Sequence, residues 1–160
     1  SASLMGAVNC VVRKDGKWIG ENTDGKGFVS SLKELTDPSR KRVVIFGAGG
    51  AARAISVEVA LAGASHITIV NRSTERGEEL TTLLQDKLPC YAEFVAWEST
   101  FSIPEDTDVL INATSIGLFP DIDARLDFDL NTLASNMVVA DVIPQPTFDQ
   151  PCQGCPCQRM

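Results

Sequence analysis

From residue 42 onward the apolar residues come in short unbroken runs, separated by longer stretches with helical spacing. The runs at 43–46, 66–70, 109–111 and 137–142 lack the in-out alternation of a half-exposed strand and read as strands buried on both faces. Residues 91–97 read as a further strand. Between them, the small-residue segment 51–62 closes on Gly63, a helix-ending glycine, and the polar segment 74–85 carries a second helix. Strands alternating with helices predict a parallel sheet with right-handed crossovers, a doubly wound α/β fold with helices on both faces. Upstream, the β-branched run 6–12 and the run 18–21 flank Lys14-Asp15-Gly16, an Asp-Gly pair suited to a tight antiparallel hairpin. Phe28, Leu32 and Leu35 then recur at helical spacing, and Asp37-Pro38 ends that helix.

Composition narrows the function classes. At 160 residues the chain supports one core, burying roughly 68–70% of its unfolded surface. Its formal charge of −7, with 21 acidic against 14 basic residues spread along the chain, offers no broad phosphate-attracting face, so nucleic acid is not an expected partner. No apolar run approaches the ~20 residues of a membrane span, and no secretory leader pattern is visible, so the expectation is a cytoplasmic protein without a membrane partner. Five cysteines, an odd number, read as reduced thiols, and a single histidine, His66, removes most histidine-based triads and metal sites. Cys152, Cys155 and Cys157 fall short of a closed four-ligand set, so no metal is expected.

The sharpest chemical signal follows the 43–46 strand. Gly47-Ala48-Gly49-Gly50-Ala51-Ala52 reads as G-x-G-x-x-A between a strand and a helix. Gly47 permits the tight turn, Gly49 lets backbone approach a pyrophosphate, and Ala52 keeps helix against strand. Unpaired N–H groups at the helix start then face the anion. The expected reading is a Rossmann-like dinucleotide site, with a merely structural glycine turn the alternative. The next strand ends in Asn71, Arg72 and Ser73, where an NAD site usually has a carboxylate for the ribose 2′-OH. Without that carboxylate, and with a guanidinium available, the expected cofactor is NADP; a solvated surface arginine is the alternative.

Asp24, in Asn22-Thr23-Asp24-Gly25-Lys26-Gly27, is the candidate proton-relay group, with flanking glycines expected to admit a ligand; simple helix capping is the other reading. Asn9, read as lying inside an apolar strand, needs partners from backbone or ligand. Asn112-Ala113-Thr114-Ser115 follows the fourth strand, at the carboxyl edge where open α/β sheets bind ligands, or serves as a plain loop start.

Taken in order, Ala7-Val8-Asn9, Asn22-Thr23-Asp24-Gly25, the Gly47–Ala54 segment, Asn71-Arg72, Asn112-Ala113-Thr114-Ser115-Ile116-Gly117 and Asp141-Val142-Ile143 resemble the shikimate dehydrogenase family and its quinate/shikimate relatives. The resemblance covers residues 6–143. It implies that Asp24 partners a catalytic lysine at the substrate hydroxyl and that Asn9 hydrogen-bonds the shikimate ring. It further implies that Gly47, Ala48, Gly49, Gly50 and Ala51 hold the pyrophosphate, Asn71, Arg72 and Ser73 the 2′-phosphate, and that Thr114 and Val142 lie near the nicotinamide. The implied reaction is the reversible NADP-linked reduction of 3-dehydroshikimate to shikimate, an oxidoreductase step of the shikimate pathway toward chorismate and the aromatic amino acids. Quinate/shikimate dehydrogenase activity and a non-catalytic NADP-binding module are the alternatives.

Departures from the family pattern shape the remaining expectations. The family's substrate domain, with its lysine, precedes the matched region, and further helices follow it, so isolated activity is expected to be very low. Pro144 stands where many members have a tyrosine. Residues 1–37 are expected to be the junction with the substrate domain, 38–146 the NADP-binding domain, and 147–160 an atypical disordered tail. Apolar surface facing the other domain favours self-association, with a homodimer the simplest form.

Overall fold

The computed structural model describes residues 2–143. Pro144 and the tail expected over 147–160, with its three cysteines, lie outside the described residues. A short helix α1 (Ala2–Met5) opens the chain and buries Met5. The hairpin pairs β1 (Cys10–Lys14) with β2 (Lys17–Glu21) in antiparallel register, Cys10 opposite Glu21. Its turn residues Asp15 and Gly16 both have positive φ, 51° and 77°, the geometry that makes Asp-Gly favourable in a two-residue turn. The strand expected from residue 6 instead starts at Cys10: the chain leaves α1 through Gly6, at φ 66°, before extending.

Helix α2 (Asp24–Leu35) stops at Thr36, just ahead of Asp37-Pro38. The alternation that follows is β3 (Arg42–Phe46), α3 (Gly50–Leu61), β4 (His66–Asn71), α4 (Thr74–Lys87), β5 (Tyr91–Ala96), β6 (Val109–Asn112) and β7 (Val138–Asp141). All five later strands run parallel, in the order β5-β4-β3-β6-β7. The chain therefore winds outward from β3 in one direction through β4 and β5, then crosses to β6 and β7 on its other side. The switch point lies between β3 and β6, and in open α/β sheets ligands bind outside the carboxyl ends of the strands at such a point.

Period-2 side-chain alternation divides the sheet's residues between two layers. Val43, Ile45, Ile67, Ile69, Val109 and Ile111 face the helices, joined in one cluster with Leu32 of α2, Val57 of α3 and Leu80 and Leu84 of α4. Val44, Phe46, Val70 and Leu110 face the other way. Doubly wound parallel topology is thus present, but the second face differs from the sequence expectation. Among the described residues it is covered by irregular segments, which supply Phe101, Ile103, Leu126, Phe128, Leu133 and Met137, with a 3-10 turn (Leu130–Thr132) just ahead of Leu133 and no α-helix. Residues 97–137 there are broken by Pro104, Pro120 and repeated Asp and Asn and carry no sustained helical period. Helix α2, expected in the junction, shares the main core through Val29 and Leu32.

Candidate functional site

The turn after β3 is shaped by the strand beside it. Gly47 has φ 107°, which side-chain-bearing residues rarely adopt, and a Cβ there would meet the Ala113 carbonyl oxygen at 2.7 Å and the Thr114 nitrogen at 3.3 Å. The glycine turn and the Asn112–Thr114 segment therefore touch backbone to backbone at the switch point. Gly49 is the extended N-cap of α3 and makes no side-chain capping bond; Gly50 opens the helix, one residue earlier than expected. A Cβ at either glycine would meet nothing within 4 Å, so neither position is crowded by the surrounding protein. Ala48 is half-buried, Ala51 exposed, and Ala52 fully buried against the sheet.

Asn112 organises the opposing lip. It is buried, and its Oδ1 accepts from the Thr114 amide at 3.1 Å and the Thr114 hydroxyl at 2.7 Å. Its Nδ2 donates to both Asp141 oxygens at 3.2 Å, tying the end of β6 to the end of β7. Thr114 Oγ1 in turn accepts from the Ile116 amide. These shared bonds tie Asn112, Thr114, Ile116 and Asp141 together, which rigidifies the loop.

Asp24 occupies the first turn of α2, not the cap position. Thr23 is the cap and makes no side-chain capping bond; the Asp24 amide instead donates to Asn22 Oδ1 at 3.2 Å. The capping alternative for Asp24 thus falls to Asn22. Asp24, Phe28 and Ser31, at i, i+4 and i+7, share one face of α2. With Ala51 and Ile55 of α3 and Ala140, Asp141 and Val142 at the end of β7, they line a cleft of about 460 Å³. Gly25 does not open the site to a ligand as expected. It is buried, and a Cβ there would lie 2.3 Å from the Ala54 carbonyl oxygen, so its role is the close crossing of α2 over α3. Lys26 is paired with Glu21 at 2.8 Å, and that hydrogen bond holds the Glu21 carboxyl below its ordinary value.

Asn9 also departs from the expectation of a buried strand amide. It is exposed, one residue ahead of β1, and its Oδ1 accepts from the Thr23 amide at 2.9 Å and the Thr23 hydroxyl at 3.2 Å. It fixes the turn that presents Asp24.

Arg72 lies in a second cleft, of about 260 Å³, at the carboxyl ends of β4 and β5. Its guanidinium stands over the Trp97 ring at 5.7 Å, with Ile116 and Arg125 also lining the space. Asn71 donates to the Ser73 carbonyl at 2.9 Å, and Ser73 is the uncapped N-cap of α4. The structure therefore joins Asp24, Ala51 and Val142 in one cleft and puts Arg72 in another, with the glycine turn rising beside the Thr114 corner. Sequence reasoning gave no site role to Phe28, Ile55, Asp141, Trp97 or Arg125. The spacing of Phe28 from Asp24 could have indicated the shared helix face; Trp97 and Arg125 come together only through sheet register and an irregular loop.

A parallel sheet with a glycine turn at its switch point, an uncapped helix start and a cleft at the carboxyl edge defines a Rossmann-like dinucleotide-fold domain. The sequence profile described as Shikimate / quinate 5-dehydrogenase matches residues 30–119, more than half of the chain. The chain belongs to that family. It is 41% identical over 150 residues to the NADP(+) shikimate dehydrogenase of Alkaliphilus oremlandii, a match covering 91% of this chain and 52% of the relative. Among solved structures it is similar to the ligand-free 5-ketofructose reductase of Gluconobacter sp. strain CHM43, with 53% identity and a TM-score of 0.90, over 99% of this chain and 58% of that one. It is also similar to the Listeria monocytogenes shikimate 5-dehydrogenase in complex with shikimate and NAD, with 32% identity and a TM-score of 0.86, again over 99% and 58%. The chain spans about half the length of the curated relatives it matches.

Proposed function

We propose that this chain is the cofactor-binding part of an NADP-dependent oxidoreductase that interconverts a carbonyl and a secondary alcohol on a small polyhydroxylated substrate. The carrying observation is the convergence of Asp24, Ala51 and Val142 on one cleft beside a glycine turn that admits no side chain at Gly47. The residues fit a dinucleotide: Gly49 and Gly50 leave open space where side chains would stand, no side chain caps α3, and Arg72 offers a guanidinium with no ion-pair partner among the described residues. In this reading Gly47, Ala48, Gly49, Gly50 and Ala51 hold the pyrophosphate, Asn71, Arg72 and Ser73 the ribose 2′-phosphate, and Thr114 and Val142 border the nicotinamide. When bound, NADPH supplies the hydride. Asp24 accepts or returns the proton at the substrate oxygen, and Asn9, through the Thr23 turn, orients that end of the cleft.

Family membership and the match to NADP(+) shikimate dehydrogenases support shikimate and 3-dehydroshikimate as the substrate pair, in the cytoplasmic route toward chorismate. A second reading rests on one observation, the 53% identity to 5-ketofructose reductase over nearly the whole chain, and takes 5-ketofructose as the carbonyl substrate. Both substrates are uncharged or singly charged polyols and make the same demand on Asp24. Residues 1–37 serve as the junction with a substrate-binding part and 38–146 as the NADP domain. Self-association as a homodimer belongs to the same reading, supported by the exposed Val11 and Trp18 of the hairpin. NADPH oxidation assayed with 3-dehydroshikimate and with 5-ketofructose, beside NADP titration of the chain, tests the proposal. Turnover of one substrate chooses between the readings, NADP binding with no turnover of either makes the chain a binding module, and absence of NADP binding overturns both.

A further inference from the structure

We infer that Trp97 is a positioning residue for the 2′-phosphate end of the cofactor cleft, holding the Arg72 guanidinium in place and so setting the preference for NADP over NAD. The inference rests on the reading of that cleft given above and concerns a residue outside the Asn71–Ser73 segment.

Trp97 is fixed by four contacts. Its backbone N–H donates to the Asn71 carbonyl at 3.0 Å, carrying the β4–β5 register one residue past the strand. Its Nε1 donates to the Asp127 carbonyl at 3.0 Å. That same carbonyl accepts from the Phe101 amide at 3.1 Å, so it is a pinned acceptor. The ring meets Phe46 edge-on with centroids 5.0 Å apart, and Phe46 is fully buried at the end of β3, immediately before Gly47. The fourth contact is Arg72 over the ring face at 5.7 Å. Trp97 thus joins the strand that carries the glycine turn to the arginine of the second cleft.

The charges around Arg72 sharpen the point. Glu98, Asp127 and Arg125 line the same space, yet neither carboxylate forms a salt bridge with Arg72 among the described residues. Arg125 is turned to its own loop, donating to the Ile122 and Ala124 carbonyls. A guanidinium stacked on an aromatic face keeps its N–H edge open to an anion while losing rotamer freedom, so less ordering remains when a phosphate arrives. An Arg72 without that platform would be a long exposed side chain drawn toward Glu98 or Asp127.

The test is calorimetric titration of NADP and NAD into the full chain and three variants. Trp97→Leu removes the platform, Trp97→Phe keeps an aromatic face and the Phe46 contact, and Trp18→Leu removes the corresponding Arg13 stack on the exposed hairpin, at 5.8 Å. Trp97→Leu should raise the NADP Kd about tenfold, leave the NAD Kd unchanged, and Trp97→Phe should restore most of the loss. Trp18→Leu should change neither. Equal weakening of both cofactors by Trp97→Leu, or an unchanged NADP Kd, overturns the inference while leaving the cleft reading intact. An unsubstituted chain that binds neither cofactor overturns the cleft reading, and the inference with it.

Discussion

The backbone carbonyl of Ala113 lies 2.7 Å from the point a Cβ of Gly47 would occupy, and Gly47 itself sits at φ 107°. Two strands that are far apart in sequence but adjacent in the sheet therefore meet at a contact that excludes every side chain. Gly47→Ala should lower the melting temperature by about 5–10 °C, since the backbone conformation alone costs about 1–3 kcal/mol and the clash adds to it. Thermal unfolding followed by circular dichroism reads the loss; an unchanged midpoint would mean that this contact does not constrain the turn.

Gly49→Ala makes the contrasting case. Its Cβ has open space and its φ of −84° suits alanine, so the fold should keep its midpoint. In the proposed complex that methyl stands where the pyrophosphate approaches, so NADP and NAD should both bind about tenfold more weakly. Titration of both cofactors checks it, and undiminished affinity would move the phosphates away from Gly49.

Arg72→Asp should weaken NADP relative to NAD by about 2–4 kcal/mol, because one charge-assisted hydrogen bond is lost and a like charge is gained. Paired Kd measurements give the ratio directly. A preserved ratio would remove Arg72 from the cofactor site.

Asp24→Asn should leave NADP affinity within about twofold, since the amide keeps the shape of the cleft, and lower kcat about 10²–10⁴-fold in a form of the protein that turns over substrate. Because Asn22, not Asp24, holds the first turn of α2, the melting temperature should barely move. Full turnover in the variant would leave Asp24 with no part in proton transfer.

Away from the site, Glu93 accepts a hydrogen bond from His66 at 3.0 Å and another from Thr68, also at 3.0 Å. The His66 hydrogen bond is the main reason its carboxyl lies below the ordinary value of 4.5. A depressed folded value stabilises the fold above the unfolded value, and the contribution disappears as pH falls through the folded value. Glu93→Gln should therefore cost about 0.5 kcal/mol near neutral pH, a modest figure because the carboxylate is partly exposed. Urea unfolding of the two proteins should give curves that converge on acidification below pH 4.5, and a gap that persists in acid would assign the effect to packing.

The elements and the glycine turn were legible because they rest on local rules. Continuous apolar runs such as 43–46 mark buried parallel strands, Asp15-Gly16 supplies the positive φ of a hairpin, and G-x-G-x-x-A has one structural use between strand and helix. What escaped was decided by packing across the sequence. Gly25 reads as a flexible residue beside a reactive aspartate until α3 is seen pressed against it. Asn9 reads as buried within a β-branched run because the entry through Gly6 delays the strand. The second sheet face reads as helical from the strand–helix alternation, but among the described residues its segments pack Phe101, Phe128 and Met137 one by one, without a period to find. Trp97 meets Arg72 only because β5 pairs with β4 in a register that carries its amide to Asn71.

The central claim is that the glycine turn and the Arg72 cleft together hold a phosphorylated dinucleotide, and competitive calorimetry of NADP against NAD tests it most directly. The account predicts one molecule of NADP per chain and a Kd at least about tenfold below that of NAD. Folded protein that takes up neither dinucleotide, or that prefers NAD, would contradict it.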